Sequence, residues 1–559
     1  MSGLIDSNDR FAVNPTNIRG IQRSKFDMSH TIKTTFNAGD LVPFDVMEVL
    51  PGDTFNLETN VLARLQTLIT PLMDDMYLDT YYFFVPNRLT WEHWKEFNGE
   101  NSKNAWYPQT TYTIPQISIK GNDDLKGSIL DYMGIPTNTS NSTSNVTLSI
   151  NALPVRAYNL IWNEWFRDQN LQDPVLVPLT DATVAYNKAN SSNGGKLLKA
   201  NKYHDYFTSA LPSPQKGPDV TIPMQASADF PVFAKSVNID DSLTSHPLSF
   251  KLNGDAQSVN GAQPFLQKGV NSHADLAWNN VDVPAVSSRG NASPANLWAN
   301  IEGLPVATIN QLRLAFATQQ LYELDARGGT RYVEILKSHF GVTSPDARQQ
   351  RPELLAYNHT PISVNQVVQQ SGSNTTTALG DVAGLSVTAD SDSSFVKSFT
   401  EHGYIIGLAC VRYKHSYQQG VNRMWSRLTR FDFYWPVFAN IGEQPILNKE
   451  IYQDYSKDLI NSEVFGYQEA WAEYRYVPDR VSAEMRSDYP QSLDVWHLAD
   501  DYESLPKLSS DWIQENSTTV NRVLAVSDNL SAQIFMDIYL KIEATRPMPM
   551  YSVPGLTRM

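Results

Sequence analysis

Between positions 412 and 435, cations and aromatic rings alternate. Arg412, Lys414, Arg423, Arg427 and Arg430 are interleaved with Tyr413, Tyr417, Trp425, Phe431 and Tyr434. Cations neutralise phosphates, and aromatic faces stack on unpaired bases of any sequence, so this pattern suits a single nucleic-acid strand. Arg412, Lys414, Arg423, Trp425, Arg427 and Arg430 are therefore the candidate DNA-binding residues. A second explanation fits the same pattern. The arginines would make interface ion pairs around an ordered loop, and the sequence leaves both readings open.

Other chemistry is sparse. The nearest approach to a phosphate-binding loop is Gly194-Gly195-Lys196, but Leu197 stands where that loop needs Ser or Thr. There is no H-E-x-x-H, no cysteine cluster and no G-x-S-x-G elbow, so neither cofactor nor metal is expected. Asp74, Asp75 and Asp79 lack calcium-loop spacing and read as capping or turn residues. Cys410 is the single cysteine. It rules out an intrachain disulfide, and its apolar run, 404–411, makes it a buried small side chain. The two acids of a glycosidase need not be close in sequence. A carbohydrate-active β-sandwich enzyme using Trp and paired acids therefore stands as the alternative to a structural protein.

The elements that must carry these residues are mostly strands. Residues 41–50 and 77–85 are dense in β-formers and end at Pro51-Gly52-Asp53 and Pro86-Asn87. The second run reads as a strand buried on both faces. Strand signals return at 403–413, 431–438, 493–498 and 533–544. Tyr158, Ile161, Trp162, Trp165 and Phe166 recur at helical spacing and make 153–170 a short amphipathic helix. Thr308 and Gln311 form a capping box ahead of a helix that stops near Gly328-Gly329, and a second helix ends at Gly341. Residues 100–150 and 341–400 read as mostly loop. Distant strands with helix-bearing insertions between them predict an antiparallel sandwich. Residues 1–35 are basic and polar and read as an arm. Residues 224–302, rich in Ser, Asn, Ala and Gly, read as a surface insertion.

Composition sets the class. The chain has 559 residues, too long for one ordinary core. Charged residues are 18% and aromatics 11%, as in strands with ordered loops and surfaces covered by neighbours. The net charge is -15. A protein coating nucleic acid by bulk charge would be basic, so any such contact must come from a local surface. Residues 1–10 hold no apolar signal-peptide core, and no stretch is long and apolar enough for a membrane span. Folding in a reducing cytoplasm fits.

Several longer segments carry a family resemblance. They are Thr34-Thr35-Phe36-Asn37-Ala38-Gly39-Asp40-Leu41-Val42-Pro43-Phe44, Glu48-Val49-Leu50-Pro51-Gly52-Asp53-Thr54 and Phe84-Val85-Pro86-Asn87-Arg88-Leu89. Arg156-Ala157-Tyr158-Asn159-Leu160-Ile161-Trp162-Asn163, His204 to Pro212, Gln418-Gln419-Gly420, Phe433-Tyr434-Trp435-Pro436 and Arg546-Pro547-Met548-Pro549 complete the set. The chain resembles the major capsid proteins of microviruses, small single-stranded DNA phages, and is most similar to their gokushovirus branch. The resemblance implies an eight-stranded antiparallel jelly roll of viral capsid type, with long insertions containing short helices. It implies self-assembly into a T=1 shell around circular single-stranded DNA, with other virion proteins and a host cell-surface receptor as further partners. The virion would assemble in the cytoplasm of the host bacterium. Residues 36–223 and 303–559 would form the two parts of the core. The insertion at 224–302 would be a three-fold protrusion used in host attachment.

Overall fold

The computed structural model describes residues 22–100, 111–137, 147–220, 309–372 and 378–551, less 457 and 529, together with strand residues 230–231, 234–235, 245–246 and 298–299. The chain divides into two compact units, Met1–Lys216 with Tyr322–Met559, and Gly217–Leu321. Among the described residues there is more strand than helix.

Nine strands frame the larger unit. They are β1 (Ser24–Asp27), β2 (His30–Phe36), β3 (Val42–Val49), β4 (Thr54–Leu65), β5 (Met76–Pro86), β6 (Glu353–Pro361), β7 (Thr388–Ser398), β8 (Gly403–Tyr413) and β9 (Ile534–Arg546). One antiparallel sheet runs β2-β9-β4-β7, with β1 also pairing β9. The other runs β6-β5-β8-β3. Side chains from both sheets meet in one core that includes Phe36, Phe44, Phe55, Leu57, Tyr82, Ile405, Val411, Ile538 and Leu540. Each such burial contributes about 1.5–3 kcal/mol.

The two sheets differ in how they are covered. Strand β4 alternates strictly between buried and exposed positions, as a strand with one solvated face must. Strand β8 is buried along almost its whole length, and β5 nearly so. The reason is a second core on the outer face of their sheet, where Phe83, Val85, Ile406, Leu408 and Cys410 pack under helix α1 (Leu153–Ile161). A π-helical turn, Trp162–Phe166, continues that helix.

Helix α1 is pinned by polar groups the sequence had already drawn attention to. The buried Arg156 donates to the carbonyls of Thr90 and Thr180 at 3.1 and 2.9 Å. The Tyr158 hydroxyl donates to the Leu41 carbonyl at 2.8 Å, and the Trp162 indole N–H to that of Lys199 at 2.8 Å. The aromatic stripe is therefore core. Helices α2 (Ile309–Gly328) and α3 (Tyr332–Phe340) occur where capping and glycine signals predict them, and Gly341 ends α3 with φ +67°.

Several expectations are corrected. Residues 24–36 are strands paired to β9, so the arm expected over 1–35 does not extend that far; residues 1–21 lie outside the described residues. The strands expected at 431–438 and 493–498 are short 3-10 turns; in the first run Asp432 folds back to accept from the Thr429 N–H, and Pro436 opens a new turn with no N–H for a strand ladder. The stretch 341–400, read as loop, contains β6 and β7 and a hairpin of Val364–Val368 with Val382–Ser386. Strand β7 was hidden by its polar sequence. It lies at a sheet edge, where Asp390, Ser391 and Ser394 remain accessible and Phe395 points inward. Within 100–150, Gln116–Lys120 and Thr147–Asn151 pair as strands. The insertion expected at 224–302 lies almost wholly outside the described residues. Within the unit Gly217–Leu321 the described strands are short pairs, Phe230–Pro231 with Trp298–Ala299 and Ala234–Lys235 with Ser245–His246.

Candidate functional site

The cation-and-ring segment starts at the end of β8 and runs into the connection before β9. Its first cation is a structural group. Arg412 Nε lies 2.9 Å from Asp79 Oδ2, its Nη2 bonds the same oxygen and the Tyr81 hydroxyl, and its guanidinium stacks 4.1 Å from the Tyr203 ring centroid. Asp79 is fully buried. The Tyr203 and Tyr357 hydroxyls and His359 Nδ1 also reach its carboxylate, at 2.7, 3.2 and 2.6 Å. Two residues on, Lys414 is exposed. Its ammonium lies 3.4 Å from the exposed Asp75 and 5.6 Å from the Tyr77 ring, which stacks on His359 at 4.2 Å.

His415 then enters a buried charge network that sequence reasoning missed. Its Nδ1 lies 3.0 Å from Asp500 and its Nε2 3.2 Å from Glu515, while Lys202 approaches Asp500 at 3.6 Å. All four side chains are nearly inaccessible. Burial opposes the charged imidazole, but the two carboxylates outweigh it and push its pKa up to about 9. Burial likewise opposes the Asp500 carboxylate, and His415 and Lys202 hold it well below the usual range. The network joins four segments, spread along the chain from Lys202 to Glu515, and no local pattern announces it. Burial also pushes the Cys410 thiol up to about 12, which leaves it an inert core residue.

Gln418-Gln419-Gly420 is a clasp. Gln418 exchanges side-chain and backbone hydrogen bonds with Ser487 at 2.8 and 2.9 Å, and Gln419 does the same with Asp501 and Tyr502. A Cβ on Gly420 would stand 1.9 Å from the Glu450 carbonyl oxygen. Gly420→Ala is expected to cost about 1–3 kcal/mol through forced displacement of that backbone. A thermal midpoint equal to that of the parent would refute this.

Beyond the clasp, two of the three arginines are neutralised within the chain. Arg423 lies 3.7 Å from Glu450 and 3.9 Å from Glu473, and donates to the Pro445 carbonyl at 3.0 Å. Arg427 pairs with Glu473 at 3.2 Å and sits 4.2 Å over the Tyr474 ring. Both glutamates are buried. Arg430 is exposed, 4.8 Å over the Phe431 ring, and Trp425 is 74% exposed. Of the six candidates, Lys414, Trp425 and Arg430 keep exposed chemistry, whereas Arg412, Arg423 and Arg427 are bound to carboxylates of their own chain. Glu450 and Glu473 are the partners that the sequence did not reveal, since neither lies in the segment.

A family model described as capsid protein (F protein) matches residues 16–556. The chain is 40% identical to capsid protein VP1 of Chlamydia phage 1, over 99% of this chain and 98% of that protein. It is 42% identical to capsid protein VP1 of Bdellovibrio phage phiMH2K over 95% of each chain, and 41% identical to that of Spiroplasma virus 4 over 96% of each. The protein is a structural component of a virion, which sets aside the carbohydrate-active enzyme. The chain belongs to the F-protein family of microvirus capsid proteins, with gokushovirus VP1 proteins as relatives.

Proposed function

We propose that this chain assembles with copies of itself into a T=1 icosahedral shell enclosing circular single-stranded DNA, on an eight-stranded jelly-roll framework. The strand order carries this reading. From β2 to β9 the chain changes sheet at every step except β5 to β6, as two interlocked Greek keys require. Family membership supports the shell, because a coat protein must bury much of its surface against neighbours. The unit Gly217–Leu321, which includes all of 224–302, is the candidate protrusion for host attachment through a cell-surface receptor. Assembly in the cytoplasm of a host bacterium, alongside other virion proteins, suits a chain whose single cysteine is buried.

An acidic subunit must gather its strand-binding cations locally. Of the six candidates we assign that role first to Lys414. Its exposed pair with Asp75 is worth little and re-forms easily with phosphate. Tyr77 and His359, stacked on each other, lie beside it. Expressed protein is expected to sediment as a megadalton particle; a product that stays monomeric or dimeric would sink the shell reading. Lys414→Ala should give particles in normal yield with less DNA, measured as the ratio of absorbance at 260 to 280 nm. An unchanged ratio would remove Lys414 from the contact.

A further inference from the structure

The segment that follows the clasp exposes large apolar side chains in unusual density. Leu428 is 91% exposed, Val437 88%, Trp425 74%, and Met424, Phe431 and Ile441 about half. The rings at 433–435 are also about half exposed. Side chains of these sizes leave roughly 800 Å² of apolar surface to solvent, about what one partner contributes to a standard protein interface. A folded subunit does not keep such a surface open without a use for it.

The surface is also held rigid before anything binds. Asn422 accepts from the Met424 N–H at 2.9 Å. The Asp432 carboxylate accepts from the Leu428 and Thr429 N–H groups at 2.9 and 2.7 Å. The Trp435 and Trp471 indoles donate to the Arg430 and Phe438 carbonyls, each at 2.8 Å. Arg423 and Arg427 anchor the loop from below through Glu450 and Glu473. An ordered apolar surface loses little entropy on docking.

We propose that the 424–441 surface is a contact between copies of this chain in the shell, and not the DNA-binding surface. This rests on the shell reading above. The chemistry selects between the two occupants. A groove for single strands needs cations along the backbone path. Here two of the three arginines are neutralised by buried glutamates, leaving Arg430 beside a surface that includes aliphatic Leu428, Val437 and Ile441. Aromatic residues, Met and Arg with little net charge are the composition of an interface centre.

The test is Leu428→Asp combined with Val437→Asp. Both side chains are in solvent in the subunit, so its thermal midpoint should stay within a few degrees of the parent. The particle fraction in a sedimentation gradient should fall at least tenfold. In parent particles, amides of 424–441 should exchange with deuterium more slowly than in the dispersed variant. Parent and variant assembling equally well would overturn the proposal and leave the shell reading standing. Variant particles in normal yield but poor in DNA would overturn it in favour of the genome. A parent chain that forms no particles would overturn both. Should the double variant fold poorly, Leu428→Ser alone, read by the same gradient, decides the matter.

Discussion

Arg412→Ala is expected to lower the recovery of soluble subunits sharply, and with it the yield of shells. The residue stands first in a segment whose composition suggests phosphate binding, but its guanidinium compensates the fully buried Asp79 carboxylate. Removing it leaves that charge with only hydroxyl and imidazole partners. Losing one member of a buried pair costs about 3–5 kcal/mol. A domain's whole stability is about 5–15 kcal/mol. Removing both charges should be far milder. Arg412→Met combined with Asp79→Leu is expected to restore much of the yield, because the rings of Tyr81 and Tyr203 can pack on apolar replacements. The measurement is soluble yield and thermal midpoint for the three proteins. Arg412→Ala shells in normal yield with reduced DNA would instead make Arg412 a strand contact and defeat the argument.

The second large effect is a stability window in pH set by the His415 network. The His415 pKa rises from 6.5 to about 9 on folding. Its contribution is therefore complete below pH 6.5 and is lost as the pH climbs through 9. The Asp500 carboxylate is depressed from 3.8, so its contribution is present above about pH 4 and is lost on acidification. The groups facing the imidazole are Asp500, Glu515, the Tyr413 ring at 4.3 Å and, through Asp500, Lys202 and Tyr502. The histidine shift corresponds to roughly 3 kcal/mol between pH 6 and pH 10. The thermal midpoint of the parent should drop by several degrees over that range. His415→Gln should be less stable at pH 6 and much flatter above it. Parallel profiles for parent and variant would show that the imidazole is not the titrating group.

Both effects arise from contacts that sequence patterns do not encode. Asp79 is separated from Arg412 by 333 positions. The antiparallel register of β5 with β8, which sets Cys410 opposite Asp79 and Arg412 opposite Tyr77, brings them together. A carboxylate among Tyr77, Tyr81 and Tyr82 reads locally as a turn or cap residue. Only the covered second face of the sheet makes it a buried charge that needs a partner.

What the sequence determined by itself was the family, the strands read at 41–50, 77–85, 403–413 and 533–544, and the helices whose caps and glycines are local signals. Those features follow from side-chain period and chain stiffness, which act over a few residues. The motifs at 156–163 and 418–420 were visible too, but as motifs only; the structure makes them a helix anchor and a backbone clasp. Tertiary structure alone decided which cations are free. Charge type is written in the residue, but availability depends on what the fold sets opposite it. Asp79, Glu450 and Glu473 took up Arg412, Arg423 and Arg427, and left Lys414 and Arg430 exposed.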